Sequence, residues 1–163
     1  MLRVGLRHGL RYGVVDTLEN GGAVAIWLHS EGSRMSAWRM VRAGVLAAGL
    51  AMGCGNSRRV LKFLRFIGKA RDISIAEPHW YLLSLAVSPE RQGAGVGRAL
   101  LRHGLGRAKA QGLACFLETT KERNVKLYER YGFKVSHRAP LPNGGPVVWS
   151  MVAGLAEGLH PRL

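Results

Sequence analysis

Acidic residues are scarce in this sequence. Ten Asp and Glu residues stand against 24 Lys and Arg residues, which gives a formal net charge of +14 at pH 7. A surface of one sign attracts polyanions and phosphate-bearing ligands, although net charge says little about the fold. The basic residues are spread along the whole chain with no run of five or more. A solvated arginine-rich surface and a nucleic-acid footprint both stay open, and the even spread weakens the second.

Cysteines and long apolar runs are also few. Cys54 and Cys115 lie 61 residues apart. Without a C-x-x-C pair or paired histidines, the sequence predicts neither a metal site nor a disulfide framework, and it fits the reducing cytoplasm. The most membrane-like run, residues 43–54, has 12 residues, whereas a membrane span needs about 20. Arginines interrupt the apolar residues near the N-terminus, so we expect no signal peptide and no membrane association.

The first half of the chain combines helical and strand patterns. Apolar residues at helical spacing predict helical segments within residues 1–12 and 34–67. Between them, Asn20-Gly21 separates two apolar runs, Gly13–Thr17 and Ala23–Leu28. This arrangement predicts an antiparallel hairpin.

The second half carries a strand, loop, helix and strand in succession. Trp80–Val87 is a nearly continuous apolar run and predicts a central strand that is buried on both faces. After a glycine-rich loop, Ala99–Ala110 has the spacing of an amphipathic helix, and Leu113–Thr119 predicts a second core strand. Such a unit forms a right-handed crossover between parallel strands.

The remaining segment predicts one more helix and a hairpin. Thr119 and Glu122 have the spacing of a capping box, which predicts a helix that runs through Arg130. Phe133–Arg138 and Val147–Val152 then predict two antiparallel strands joined by a proline-containing loop. The whole pattern predicts a mixed α/β fold with a mostly antiparallel sheet and one parallel crossover.

The glycine loop at residues 92–97 precedes a helix, where unpaired amides and the helix dipole favour a phosphate group. A dinucleotide-binding loop requires G-x-G-x-x-G directly after the strand. Counting from Gly93 and Gly95, the third glycine would fall on Arg98, whose long side chain would hold the helix away from the strand. Ser88–Arg91 also separates the strand from the glycines. The spacing therefore argues against a dinucleotide.

A different pattern, [Q/R]-x-x-G-x-[G/A], fits residues 92–97. With the preceding Leu85–Pro89 it resembles the acyl-coenzyme A loop of the GNAT family of N-acetyltransferases. His79–Val87 and Leu117–Thr120 resemble the small-molecule branches of that family. Asn124, Tyr128 and Gly132-Phe133 are similar to the second signature of that family, and they begin 27 residues after the last loop glycine. Asn124 and Tyr128 share one helical face because they are four residues apart.

The resemblance covers roughly residues 14–152 and implies the GNAT fold, with residues 1–163 as a single acetyltransferase domain. Family members usually begin with a strand and two helices, whereas about 12 residues precede the first predicted hairpin here. We therefore expect the usual first strand to be missing. The apolar surface that this leaves uncovered predicts a homodimer.

The implied function is the transfer of an acetyl group from acetyl-CoA to an amine of a small molecule or peptide. The amine would attack directly in a ternary complex, without a metal. The alternative is a non-catalytic coenzyme A-binding module or a basic nucleic-acid-associated protein, because the shortened front removes part of the usual acceptor-site wall.

The resemblance also implies which residues bind acetyl-CoA. Backbone amides from Gln92 to Arg98 would hold its diphosphate, and the main chain of Leu85–Val87 would pair with its pantetheine arm. Asn124 would hydrogen-bond the same arm. The implied acetyl-CoA-binding residues are Leu85, Ala86, Val87, Gln92, Gly93, Ala94, Gly95, Val96, Gly97, Arg98 and Asn124.

Tyr128 and Glu118 are the implied catalytic residues. Tyrosine has an ordinary pKa of about 10, so Tyr128 stays protonated at neutral pH and can protonate the departing thiolate. Glu118 ends a predicted strand and can accept the proton of the amine through a water molecule. His79 and His137 are alternative bases. Cys115 lies in an apolar strand and is expected to belong to the core rather than to act as a nucleophile.

Overall fold

The computed structural model describes residues 13–18, 21–30, 65–66, 68–141 and 144–154. The helical segments expected within residues 1–12 and 34–67 lie outside the described residues, except for residues 65–66, which are helical. The expected absence of a first strand also concerns residues outside this part of the chain. Residues 68–74 are helical.

The described part of the chain contains six strands: β1 Gly13–Thr17, β2 Ala23–His29, β3 His79–Val87, β4 Ala114–Thr119, β5 Lys134–Pro140 and β6 Val147–Ala153. They form one sheet in the order β1-β2-β3-β4-β6-β5. All neighbouring strands are antiparallel except β3 and β4, which are parallel. The predicted mixed sheet with one parallel crossover is therefore confirmed.

Two helices follow the sequence prediction closely, α1 at Val96–Ala110 and α2 at Glu122–Glu129. Helix α1 begins three residues before the predicted start because Gly95 has a left-handed conformation (φ 77°) and accepts the first helical hydrogen bond, from the amide of Ala99 at 3.0 Å. Glycine adopts such a conformation at no steric cost. No helix within the described ranges is long and apolar enough to cross a bilayer.

The predicted capping box at Thr119 is wrong in detail. Thr119 is the last residue of β4 and pairs with Trp149, so its backbone belongs to the strand. The cap position of α2 is Lys121 instead. The Thr119 hydroxyl accepts hydrogen bonds from the Lys121 amide at 3.2 Å and from Asn124 Nδ2 at 3.3 Å, and it thereby shapes the turn that leads into the helix.

The two faces of the sheet are covered differently. On what we call the helix face, α1 and α2 pack over the sheet in one apolar cluster that includes Trp27, Leu82, Leu101, Leu117 and Tyr128. A second and smaller cluster lies on the opposite face and consists of Ile75, Ala114, Phe116 and Val152, with Tyr81 against it. Successive strand residues alternate between these two faces.

Helix α1 is held against the sheet by a close approach and by a polar clamp. A Cβ at Gly104 would overlap the buried Trp27 indole, so only glycine permits this contact. Arg107 donates to both carboxylate oxygens of Asp16, at 3.1 and 2.8 Å, and its guanidinium lies 5.3 Å from the centre of the Trp80 ring. The clamp thus joins β1, α1 and the beginning of β3.

Candidate active site

Strand β3 has two neighbouring strands in its first half and one in its second half. Its pairing with β4 ends at Tyr81 and Phe116, whereas its pairing with β2 continues to Val87. Leu83 is an extra residue at a bulge opposite Ile26 and Trp27, and a bulge bends a strand and increases its twist. Residues 82–87 therefore leave a gap between β3 and β4.

This gap corrects one sequence prediction. The first residues of β3 are buried, but every residue from Leu83 to Val87 is partly exposed. A strand buried on both faces was therefore the wrong expectation for this part of β3. The physical reason is that β4 no longer lies beside it.

The backbone of the gap offers hydrogen-bonding groups without a strand partner. The Ser88 amide donates to the Gly22 carbonyl at 2.7 Å. Because hydrogen-bonding directions alternate along an antiparallel ladder, Ala86 directs its backbone groups to β2, and Leu85 and Val87 direct theirs to the gap. In agreement, Gln92 Nε2 donates to the Val87 carbonyl at 3.1 Å.

The glycine loop lies at the end of the gap and has the shape of an anion site. Gly93 and Gly95 have positive φ angles of 83° and 77°, and a Cβ at either would point into open space. Within the described residues, the amides from Gly93 to Arg98 make no backbone hydrogen bond. They lie in an exposed loop at the N-terminal end of α1, which is the positive end of the helix dipole. These amides fit a diphosphate group.

Gln92 and Arg98 differ in which of their groups remain available to a ligand. The Gln92 amide donates to the Pro89 carbonyl at 3.2 Å, so it already belongs to the turn. Its side chain ties the loop to Val87 instead. Arg98 is exposed in the first turn of α1, where its charge is free to add to the field of the amides.

Helix α2 presents Tyr128 on the helix face of the sheet. The ring is buried and meets Phe133 edge to face, with 5.7 Å between ring centres. Burial raises the pKa of Tyr128 above its ordinary value, so the phenol stays protonated at neutral pH. Asn124, one turn earlier, lies beside Thr119 and donates to its hydroxyl.

Glu118 lies on the opposite face of the sheet, just past the last residue pair between β3 and β4. Tyr81 donates a hydrogen bond to its Oε2 at 2.7 Å, and its Oε1 is buried without a partner among the described residues. Burial raises the pKa of Glu118 to about 7, against smaller lowering effects of the Tyr81 hydrogen bond and the Arg71 charge. A carboxyl group with such a pKa is suited to exchange protons near neutral pH.

The alternative residues have less suitable surroundings. His79 is buried, donates through Nδ1 to the Glu77 carbonyl at 2.7 Å, and has a pKa lowered mainly by that burial. It pairs with Ala114, four positions before Glu118 on β4. His137 is partly exposed on β5, separated from β4 by β6. Burial raises the pKa of the Cys115 thiol to about 12, which agrees with a core role.

Sequence reasoning missed Tyr81 as a member of this site. In the sequence it is one residue of an apolar run, and the run gives no reason to pair it with a residue 37 positions later. The only signal available was a phenol on one predicted parallel strand and a carboxylate on the other.

The family comparison agrees with this geometry. A sequence model described as the acetyltransferase (GNAT) family matches residues 49–133, slightly more than half of the chain. The chain belongs to the GNAT acetyltransferase family. This match spans the glycine loop, Glu118 and Tyr128.

Individual relatives of this GNAT protein are distant and longer. An uncharacterized N-acetyltransferase of Schizosaccharomyces pombe is 28% identical over 126 residues, which cover 74% of this chain and 51% of the relative. A crystal structure of histone acetyltransferase HPA2 and related acetyltransferase from Corynebacterium glutamicum is 28% identical, with a TM-score of 0.54, and the match covers 87% of this chain and 63% of that one. The chain thus spans about half to two thirds of these relatives.

The fold likeness extends to more divergent acetyltransferases. A polyamine N-acetyltransferase of Drosophila melanogaster has a TM-score of 0.54 at 16% identity, and the match covers 85% of this chain and 72% of that one. At this identity the likeness supports the fold alone. Together with the order of the strands, it confirms the GNAT fold.

Proposed function

We propose that this protein transfers an acetyl group from acetyl-CoA to the amine of a small molecule or peptide, by direct attack in a ternary complex. Acetyl-CoA supplies the acetyl group as an activated thioester. The supporting observation is the gap between β3 and β4, which ends at a loop of unpaired amides. A gap bordered by free backbone groups suits an extended arm, and the loop suits its diphosphate.

The binding roles follow from the groups that remain free. The amides of residues 93–98 hold the diphosphate, a narrower set than the sequence predicted because the Gln92 amide is engaged in its own turn. Leu85 and Val87 offer their backbone to the pantetheine arm, while Ala86 holds the strand to β2. Asn124 can reach the same arm only by giving up or sharing its hydrogen bond to Thr119.

The catalytic roles are divided between the two faces of the sheet. Through a water molecule, Glu118 accepts a proton from the attacking nitrogen as the new carbon–nitrogen bond forms. The Leu85 amide donates to the carbonyl oxygen, where negative charge develops during the attack. Tyr128 gives its proton to the sulfur as the carbon–sulfur bond breaks. The products are then an amide and a free thiol.

Two measurements test this proposal. Calorimetry should detect binding of coenzyme A, and a thiol reagent should detect release of coenzyme A when acetyl-CoA is mixed with a panel of peptide amines and polyamines. Tyr128→Phe should lower the turnover rate about 100-fold with little change in coenzyme A affinity. Tyr131→Phe is the matched control, because this partly buried tyrosine lies on the rim of the same cluster and has no catalytic role here.

Each negative outcome has a definite meaning. Folded protein that takes up no coenzyme A would refute the proposal. Binding of coenzyme A without thiol release for any amine would favour the non-catalytic binding module. An active enzyme in which Tyr128→Phe behaves like Tyr131→Phe would refute the assignment of Tyr128.

A further inference from the structure

We propose that Tyr81 is a positioning residue, which fixes the carboxyl group of Glu118 so that one of its oxygens is kept for the proton of the acceptor amine. This inference rests on the proposed function, because it requires Glu118 to act as the base.

The strand register places the two side chains together. Tyr81 and Phe116 form the last pair between β3 and β4, and Glu118 lies two residues beyond Phe116 on the same face. The Tyr81 hydroxyl donates to Glu118 Oε2 at 2.7 Å. The phenol therefore reaches across the point where the two strands separate.

The Tyr81 ring is itself held in place. Its centre lies 5.7 Å from the centre of the Phe116 ring and 6.0 Å from the guanidinium carbon of Arg71. Burial and the neighbouring carboxylate raise the pKa of Tyr81 well above its ordinary value. Tyr81 consequently remains a hydrogen-bond donor over the whole pH range in which Glu118 titrates.

The two oxygens of Glu118 differ in their hydrogen-bond partners. Oε2 is satisfied by Tyr81, whereas Oε1 is buried and has no partner in the described part of the chain. An unpartnered buried acceptor is costly in a folded protein unless a ligand or water satisfies it. In the proposed reaction, the donor to Oε1 is the water molecule that relays the proton of the acceptor amine.

The groups around Glu118 determine how it responds to pH. The Tyr81 hydrogen bond and the positive charge of Arg71, from the helical residues 68–74, both lower its pKa, while burial raises it more strongly. Ser150 on β6 lies directly beside Glu118, and His137 on β5 lies beside Ser150 in the same row of the sheet. Of these neighbours, Tyr81 is the one that donates a hydrogen bond directly to the carboxylate.

Removing only the Tyr81 hydroxyl should therefore change the titration of Glu118. Tyr81→Phe keeps the ring contact with Phe116 and removes the donor that stabilises the carboxylate. We expect the Glu118 midpoint to rise by about one pH unit, as for the loss of one hydrogen bond to a charged group. At neutral pH the base form then becomes several-fold rarer.

The experiment combines a readout without substrate and a kinetic one. Isotope labelling of the glutamate δ-carbon and nuclear magnetic resonance give the Glu118 midpoint in the free protein, assigned by its loss in Glu118→Gln. The pH dependence of kcat/KM gives the midpoint of the catalytic base. Both should rise together in Tyr81→Phe, and neither should move in the control Tyr131→Phe. In the unmodified protein, the labelled ζ-carbon of Tyr81 should titrate with the Glu118 midpoint.

The outcomes separate this inference from the proposed function. Full activity of Glu118→Gln would overturn Glu118 as the base and the positioning role with it. An inactive Glu118→Gln together with unchanged midpoints in Tyr81→Phe would overturn the role of Tyr81 alone. If Tyr81→Phe fails to fold, a ζ-carbon signal in the unmodified protein that does not follow Glu118 would overturn it equally.

Discussion

The two halves of β3 are built from similar residues and do different work. The first half, His79–Leu82, lies between β2 and β4 and is mostly buried, whereas the second half, Ser84–Val87, pairs only with β2 and is partly exposed. Leu83, at the bulge, separates them. A strand can thus serve as core up to one residue and as a binding edge beyond it. The change depends on neighbours and not on side-chain type.

The largest effect is expected from removing single amides in the second half of β3, which faces the gap. Leu85→Pro deletes an N–H that faces the gap. Proline is tolerated there because an unpaired strand edge loses no ladder hydrogen bond. We expect the acetyl transfer rate to fall by about 100- to 1,000-fold, as for loss of an oxyanion donor, while circular dichroism shows a folded protein.

Two controls test that prediction. Leu85→Ala keeps the amide and should retain most of the activity. Ala86→Pro deletes an amide directed to β2 and should lower the unfolding temperature instead. Equal loss of fold in Leu85→Pro and Ala86→Pro would mean that both amides belong to the ladder.

A second prediction concerns the cost of burying Glu118 beside the gap. Its pKa is about 7 in the folded protein and 4.5 ordinarily, so the folded state binds the proton more tightly. Stability is therefore lost as pH rises from about 4.5 through 7, by about 3 kcal/mol at pH 8.

Glu118→Gln removes this pH dependence. Urea unfolding should show that the variant gains stability relative to the unmodified protein by about 2–3 kcal/mol between pH 5 and pH 8. A difference between the two proteins that stays constant over this range would contradict a buried, titrating Glu118.

A third prediction concerns packing beside the first, buried half of β3. Trp27 lies opposite Leu82, the last residue before the bulge, and its indole fills the space beside Gly104. Gly104→Ala should lower the free energy of unfolding by about 2 kcal/mol, because the overlap outweighs the better helix propensity of alanine. Gly106→Ala, in the same helix with open space around it, is the control and should stabilise by about 0.5–1 kcal/mol.

The smallest expected effect concerns the clamp over Trp80. Asp16→Asn removes the charge that Arg107 meets with two hydrogen bonds. We expect a loss of about 1 kcal/mol in unfolding free energy, because the pair is only partly shielded from solvent. Thermal unfolding at low and high salt checks this, and the loss should be smaller at high salt. An unchanged unfolding temperature at low salt would show that the clamp contributes nothing.

Most strands and helices could be predicted from the sequence because they depend on local patterns. The hairpin predicted from Asn20-Gly21 forms between β1 and β2, and Gly21 and Gly22 both have positive φ angles. The glycine loop, α1, β4 and the terminal hairpin also follow their sequence patterns within a few residues. The error at Thr119 arose because a hydroxyl can shape a turn from within a strand as well as from a cap.

The candidate site was predictable only in its local parts. Gly93, Gly95, Asn124 and Tyr128 lie in recognisable motifs, but the bulge at Leu83 has no comparable sequence signal. That extra residue turns Leu85 to the helix face, where strict alternation would have placed it with Tyr81 on the opposite face. The engaged amide of Gln92 and the bond between Tyr81 and Glu118 likewise appear only when separate segments meet.

The kind of fold, the glycine loop and the tyrosine-bearing helix follow from the sequence, because each depends on residues close together in the chain. The tertiary structure alone decided where β3 and β4 separate, which amides stay free and which carboxyl group titrates near neutral pH. Those properties depend on solvent exclusion and hydrogen bonds between strands that are far apart in sequence.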